Sequence, residues 1–375
     1  MNNLKSAKNS VLFILEEGRL AGPQIYLFRL MKKLQIDSRV IFPHSGKEFK
    51  HLLDSYNLSN SQIFITAPSI QLKNILLYIF TFIPEILLLT FYFLKAKENV
   101  VYVAGGAWQI KGVIAAKLSF KKIVWHLNDT NMPYLVRLIF FILAPLVNGF
   151  IFASKASKAY YSDLIPNRFS SVIPSPVDFE SLENTTKPSY LHQDKRIIGM
   201  VANVNPTKNM EDFILIAHEL NKRHTDLHFI IIGPIYDSQS NYHEKLTNIM
   251  YDLKVENLTF VGGVENVFEY LEKMDVFLFT SKSESSPLAV WEAMLAALPI
   301  VSYDVGDVKE YITHLRSGYI AKLLDRNDLV HGVDLFLNNE TLSSSMGKEA
   351  KKIVESELSS TSCANRHLDY FNKLL

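Results

Sequence analysis

The chain has 375 residues, 48% of them hydrophobic and 21% charged, which exceeds one core, fits two domains and excludes a disordered or fibrous chain. Residues 1–185 hold 20 Lys and Arg against 12 Asp and Glu, net +8, whereas the rest hold 19 against 26, net −7. A basic half predicts an anionic partner, here a membrane surface, because its cations are scattered and no nucleic-acid-binding motif accompanies them.

In chain order, Met1–Ser10 is polar and lacks the apolar stretch of a secretory leader, so the cytoplasmic side is expected. Val11–Leu15 reads as a strand, followed by a small-residue turn with Gly18, Ala21 and Gly22 and by a helix, Gln24–Leu34. Arg39–Phe42 and Gln62–Thr66 are further strands. Ile75–Leu94 is apolar apart from Glu85 beside Pro84, with Lys73, Lys95 and Lys97 flanking it. Its length approaches that of a bilayer span, but the charge and the proline argue against a lipid-facing one. A helical hairpin or an amphipathic face lying in the membrane interface is expected instead.

Val100–Ala104 and Lys122–Leu127 are strands, the second leading into WHLNDT, where His126 and Asp129 stand at a strand end. Pro133–Phe152 is again apolar, broken by Arg137, Pro145 and Asn148. It reads equally as buried helices or as a second interfacial segment, with Gly149–Ala153 as a strand at its end. The polar stretch Asp178–Asp194, with Asn184, Pro188 and Ser189, has no apolar periodicity and suggests a boundary. Beyond it come strands Arg196–Val201, His228–Ile232, Leu258–Val261, Val276–Thr280 and Ile300–Tyr303, alternating with helices such as Asn209–Arg223. Strands alternating with helices predict an α/β protein with two successive doubly wound parallel sheets. The expected domains are 1–185, 186–355, and a helix at 356–375 packing back on the first. The single cysteine, Cys363, excludes an intramolecular disulfide and fits a reducing compartment.

The densest chemistry lies in TSKSESSPLAVWEAMLAALP, Thr280 to Pro299. A strand ends at a polar loop and a helix follows, with Ser286 expected as N-cap and Pro287 in the first turn. The free N–H groups after Pro287, with the helix dipole, make an anion site at the carboxyl edge of a parallel sheet. Glu284 in the loop and Glu292 one turn beyond Leu288 bracket that site. A carboxylate beside a phosphate site needs hydrogen-bond donors, and sugar hydroxyls supply them.

Glu284 and Glu292 form an E-x7-E pattern followed by EAMLAALPIVSYDVG, with Gly306, Glu310 and Ser317–Gly318 beyond. Together with IIGMVANVNPTKN, LHFIIIGP, LTFVGGV and MDVFLFTS, this resembles the family-4 retaining glycosyltransferases, also called glycosyl transferases group 1, of the GT-B fold. The likeness covers most of residues 195–325 in order and spacing. It implies two Rossmann-like domains facing a cleft, the first binding acceptor and the second a nucleotide sugar, UDP- or GDP-linked. Glu284 would hold hydroxyls of the transferred sugar and Glu292 those of the ribose. Pro287 with the amides of Leu288 and Ala289 would meet the diphosphate, as would Lys208, while Val264 would line the donor. Gly22 would belong to a glycine-rich loop approaching the donor phosphates, though a bare turn accounts for the glycines almost as well, and His126 would stand near the transferred sugar, a structural histidine being the equal rival reading. The chain departs from the family where Ala202–Asn203 replaces Gly-Arg, so that Asn203 donates without charge. Ser285, Ser286 and Pro287 likewise replace Gly-Phe-Gly.

The resemblance implies transfer with retention, no cofactor beyond the donor, and neither glutamate acting as a base. Nothing in the sequence resembles a metal site, since it has no Asp-x-Asp signature and no His/Cys cluster. The expected acceptor is a glycan or polyprenyl-linked sugar in polysaccharide assembly, reached from the inner face of the membrane by peripheral association. A non-catalytic sugar-nucleotide-binding partner of such an assembly is the alternative, favoured by Asn203.

Overall fold

The computed structural model describes residues 10–67, 72–165, 168–178 and 194–375. Met1–Asn9, the side chain of Lys73 and most of the Asp178–Asp194 stretch lie outside the described residues. The chain divides into two compact units, Met1–Pro176 with Ser360–Leu375, and Val177–Ser359. The first crossing therefore falls at Pro176, ahead of the expected boundary at 185, and the return begins at Ser360. The Val177 N–H donates to the Leu358 carbonyl at 2.8 Å, and Val177 bridges Ser359 in parallel. The entering and leaving chains of unit 2 thus run side by side, which fixes both limits.

Unit 1 holds seven parallel strands among the described residues: β1 Val11–Ile14, β2 Ser38–Pro43, β3 Asn60–Ile63, β4 Val100–Val103, β5 Lys122–Leu127, β6 Gly149–Phe152 and β7 Ser170–Val172, ordered β3-β2-β1-β4-β5-β6-β7. Its helices are α1 Gly22–Lys33, α2 Lys47–Ser55, α3 Leu72–Lys95, α4 Ile110–Leu118, α5 Tyr134–Leu143 and α6 Lys155–Tyr161. Side chains alternate across a strand, so Leu12 and Ile14 meet α3, α4 and α5, while Val11 and Phe13 meet α1, α2 and the C-terminal helix.

Unit 2 holds six parallel strands among the described residues: β8 Arg196–Val201, β9 Leu227–Ile232, β10 Leu258–Gly262, β11 Val276–Phe279, β12 Ile300–Tyr303 and β13 Tyr319–Ala321, ordered β10-β9-β8-β11-β12-β13. Its helices are α7 Met210–Asn221, α8 Ser240–Asp252, α9 Phe268–Leu271, α10 Leu288–Leu295, α11 Val308–Tyr311, α12 Arg326–Leu337 and α13 Glu340–Glu357; α14, Ser360–Leu374, returns to unit 1. There the Tyr26 hydroxyl lies 2.8 Å from His367 Nε2, and Tyr370 and Phe371 are buried.

The expected hairpin within Ile75–Leu94 does not form: α3 is one helix of 24 residues running through Pro84. Glu85, whose charge argued against a lipid-facing span, turns inward and pairs with the fully buried Lys111 at 2.5 Å, accepting also from the Thr66 N–H at 3.0 Å. Ile86, Leu89 and Phe93 are buried on the same side. A lone charge in an apolar helix is tolerated when it is paired and hydrogen-bonded. Pro133–Phe152 resolves into α5, a short 3-10 turn and β6.

Candidate functional site

In unit 2 the chain winds outward from β8 to β10, crosses to β11 and winds the other way, so the strand order reverses between β8 and β11. Loops leaving strands at such a point diverge and open a crevice beyond the carboxyl ends. The two loops here are 202–209 and 280–287, and they carry Lys208 and Glu284. Lys208 Nζ donates to Glu284 Oε1 at 2.6 Å, with both side chains largely covered. Two residues 76 apart in sequence thus meet at the switch point.

The pair is held by contacts that the sequence reading did not single out. The Ser281 hydroxyl lies 2.7 Å from the same Glu284 Oε1 and 3.2 Å from the Thr207 carbonyl. The Thr280 hydroxyl donates to the Lys208 carbonyl at 3.1 Å, and the Lys282 N–H to the Thr207 carbonyl at 2.8 Å. Asn209 sits at φ +51, a left-handed position that asparagine tolerates, and turns the chain into α7. The Lys208 and Ser281 bonds to Glu284 both fall on Oε1, leaving Oε2 the atom with capacity to accept from a ligand.

The first turn of α10 stands beside this loop. Its N-cap is Pro287, with φ −75 and ψ 95, and the helix begins at Leu288. Ser286, expected as the cap, instead accepts from the Trp291 indole at 3.1 Å. The amides of Leu288 and Ala289 are first-turn donors without a carbonyl one turn back in the helix. Glu292, one turn on, is buried at 8% exposure. Gly306, at φ +55, packs so closely that a Cβ would lie 2.5 Å from the Ser285 carbonyl oxygen. The Asp307 N–H donates to that same carbonyl at 3.0 Å. The glycine therefore fixes the loop that carries Glu284.

Asn203 is half-buried in the β8 loop, where Asn205 Nδ2 lies 3.2 Å from its Oδ1. Val264 follows β10 and packs on the unit 2 core. Of the remaining expected residues, Gly22 and His126 belong to unit 1. Gly22 is exposed and opens α1, with nothing within 4 Å of where a Cβ would stand. His126, expected at a strand end near the sugar, is enclosed in the core. Its ring stacks on Tyr26 at 4.4 Å and 6° and lies 5.8 Å from Tyr102. Neither ring nitrogen has a hydrogen-bond partner, and burial, then His367, push its pKa down to about 3. The side chains of β5 alternate, and His126 falls on the face covered by α1 and α14. Among the described residues no group of three His, Cys, Asp or Glu side chains is placed to hold a metal ion.

The whole architecture has counterparts among solved structures. The Anabaena protein HepE, solved with UDP and glucose, superposes with a TM-score of 0.84 at 18% identity over 97% of this chain and 100% of that one. The fold is GT-B, that of one large class of glycosyltransferases. Residues 183–353 match the Glycosyl transferases group 1 family. A poly(ribitol-phosphate) alpha-N-acetylglucosaminyltransferase of Staphylococcus aureus is 23% identical over 60% of this chain and 44% of its own length. A trehalose synthase of Thermococcus litoralis is 30% identical over 48% of this chain and 44% of its own. The chain thus spans less than half the length of these two relatives.

Proposed function

We propose that the protein transfers a sugar, with retention at the anomeric carbon, from a UDP- or GDP-linked donor to a glycan or polyprenyl-linked acceptor in polysaccharide assembly. The observation that carries this reading is the Lys208–Glu284 pair at the switch point, beside the first turn of α10. Lysine and helix N-terminus offer positive charge where a diphosphate leaves, and such preorganised charge stabilises the leaving group as the bond breaks. That role needs no metal ion. Glu284 accepts sugar hydroxyls through Oε2, Glu292 accepts those of the ribose, and Asn203 adds a neutral donor where the family pattern has arginine. Neither glutamate serves as a base; the acceptor attacks the face that the diphosphate vacates. The UDP and glucose bound to HepE support a nucleotide-sugar donor. The protein works at the cytoplasmic face of the membrane, with Ile75–Leu94 in the interface.

A thermal-shift screen against UDP-, GDP- and ADP-glucose and UDP-N-acetylglucosamine, followed by donor hydrolysis, tests the reading. One donor should raise the melting temperature and be hydrolysed slowly by the wild type. Binding without hydrolysis or transfer would turn the assignment to a non-catalytic sugar-nucleotide-binding protein.

A further inference from the structure

Helices α3 and α5 lie on one face of the unit 1 sheet, on either side of α4. Their inner sides share a core: Leu89 and Phe93 from α3, Val136 and Phe140 from α5. Their outer sides are apolar as well. Leu76, Phe80, Ile83, Leu87, Phe91 and Leu94 recur at helical spacing along α3, and each is more than half exposed. On α5, Leu135, Phe141 and Ile142 are 58–66% exposed, with Tyr134 at 83%. An apolar surface this extensive on one layer marks an interaction face.

The turn after α4 adds a third element. Phe120 is 92% exposed and held at φ +58. A bulky side chain in the left-handed region is strained, and here it gains no packing in return. The left-handed turn closes α4, with the Phe120 N–H donating to the Lys117 carbonyl and the Lys121 N–H to the Ala116 carbonyl, each at 3.1 Å, and it leaves the Phe120 ring projecting into solvent.

The charges identify the occupant. The single acid of α3, Glu85, faces inward to Lys111, and α5 has no acid, so the outer faces of both helices carry no carboxylate. Lys95, Lys117 and Arg137 are exposed around them, with Lys95 Nζ 4.1 Å above the Phe91 ring. A second copy docking face to face would set these cations against one another, whereas an anionic lipid headgroup layer complements them. The buried inner side of α3 holds the helix to the sheet, so it lies in the interface and does not span.

We infer that α3, α5 and Phe120 together form a monotopic docking face for an anionic bilayer. This rests on the membrane association proposed for Ile75–Leu94 and extends it to two elements outside that segment.

The test uses the full-length protein sedimented with phosphatidylglycerol-containing vesicles and with pure phosphatidylcholine vesicles, each at low and high salt. The wild type should bind the anionic vesicles and be partly released by salt. The α5 variant Leu135→Ser/Phe141→Ser/Ile142→Ser and the separate variant Phe120→Gly should each lose about tenfold in vesicle affinity, since each withdraws apolar surface from the lipid. Phe120→Gly also relieves the left-handed strain, so its melting temperature should hold or rise while binding falls, which unfolding cannot mimic. If both variants bind like the wild type while Phe80→Ser/Leu87→Ser/Phe91→Ser does not, the extension fails and the α3 reading stands. If the wild type ignores all vesicles, both fail; a dimer dissolved by the α5 variant would then assign the face to a second copy.

Discussion

At the scale of single residues, the lysine proposed for the donor site is already engaged. Lys208 gives its charge to Glu284 at 2.6 Å, so an arriving diphosphate must share a cation that a carboxylate holds. Lys208→Ala should therefore lower kcat at saturating donor by about a hundredfold, because the lost charge acts on a phosphate that grows more negative in the transition state. Glu292→Ala should instead raise the donor KM with little change in kcat, a cost of about 1.5–3 kcal/mol for a charged hydrogen-bonding partner. Steady-state kinetics on both variants separate the two roles, and a normal kcat for Lys208→Ala would remove the leaving-group assignment. His126 makes the opposite case, a polar ring without partners in an aromatic core. Its pKa is about 3 when folded, against an ordinary 6.5. Below the ordinary value the unfolded chain takes up a proton that the folded chain refuses, so His126 contributes stability that is present above about pH 6.5 and lost as pH falls. Glu16, raised to about 7 chiefly by burial, runs the other way: its penalty is present above that pH and fades toward 4.5. His126→Phe removes the first effect alone. Urea midpoints should show it more stable than the wild type by about 1 kcal/mol near neutral pH, with the gap widening toward about pH 5. A constant or shrinking gap, or abolished turnover in the folded variant, would return His126 to the reaction.

Among elements, the loops at the switch point depend on how closely strands and turns approach. Gly233 ends β9 at φ +151, and a Cβ there would stand 2.1 Å from the Ala202 carbonyl oxygen. Gly233→Ala must displace the backbone that carries Asn203 and leads to Lys208, so it should cost about 3 kcal/mol and weaken donor binding. Chemical denaturation and calorimetry would check this, and an unchanged donor affinity would show that the β8 loop moves independently of its neighbour. Most strands were legible because a buried parallel strand is a short unbroken apolar run, as in Val11–Ile14 or Val276–Phe279. The segments that escaped lack that run. Ser170–Val172 and Tyr319–Ala321 are three-residue edge strands, and Asn60–Ile63 precedes the apolar residues from which a strand at 62–66 was read. The site divided in the same way. Lys208, Glu284 and Glu292 carry a spacing that the chain displays by itself. Ser281 becomes visible only when β8 and β11 are known to be neighbours, because its partner lies across the switch point. The helix cap was misplaced by one residue because Trp291, five positions on, takes Ser286 for its indole.

For the whole molecule, the chain crosses between its units at Pro176 and again at Ser360, so the two units differ in covalent autonomy. Unit 2 is one continuous segment, and every residue of its core, from Val177 to Leu358, lies within it. Lys208, Glu284, the first turn of α10 and Glu292 all belong to that segment. Unit 1 is discontinuous: Cys363, Ala364, Tyr370 and Phe371 of α14 complete the core face against which α1 packs. Without α14, the Tyr26 hydroxyl loses His367, and two large aromatic burials worth about 1.5–3 kcal/mol each are forfeited, a large share of a typical domain's stability. A fragment of residues 177–359 should therefore fold cooperatively by itself and bind the preferred nucleotide sugar with an affinity on the order of that of the full chain, yet transfer nothing. A fragment of residues 1–176 should be unfolded or aggregated, and should recover a cooperative melt when residues 360–375 are joined to it by a flexible linker. Circular dichroism and calorimetry on the three proteins decide the matter. An unfolded 177–359 fragment would mean that its core draws on the rest of the chain, contrary to the contiguity of its packing. A folded fragment that binds no nucleotide would mean that the switch-point pair and the α10 amides do not suffice for the donor.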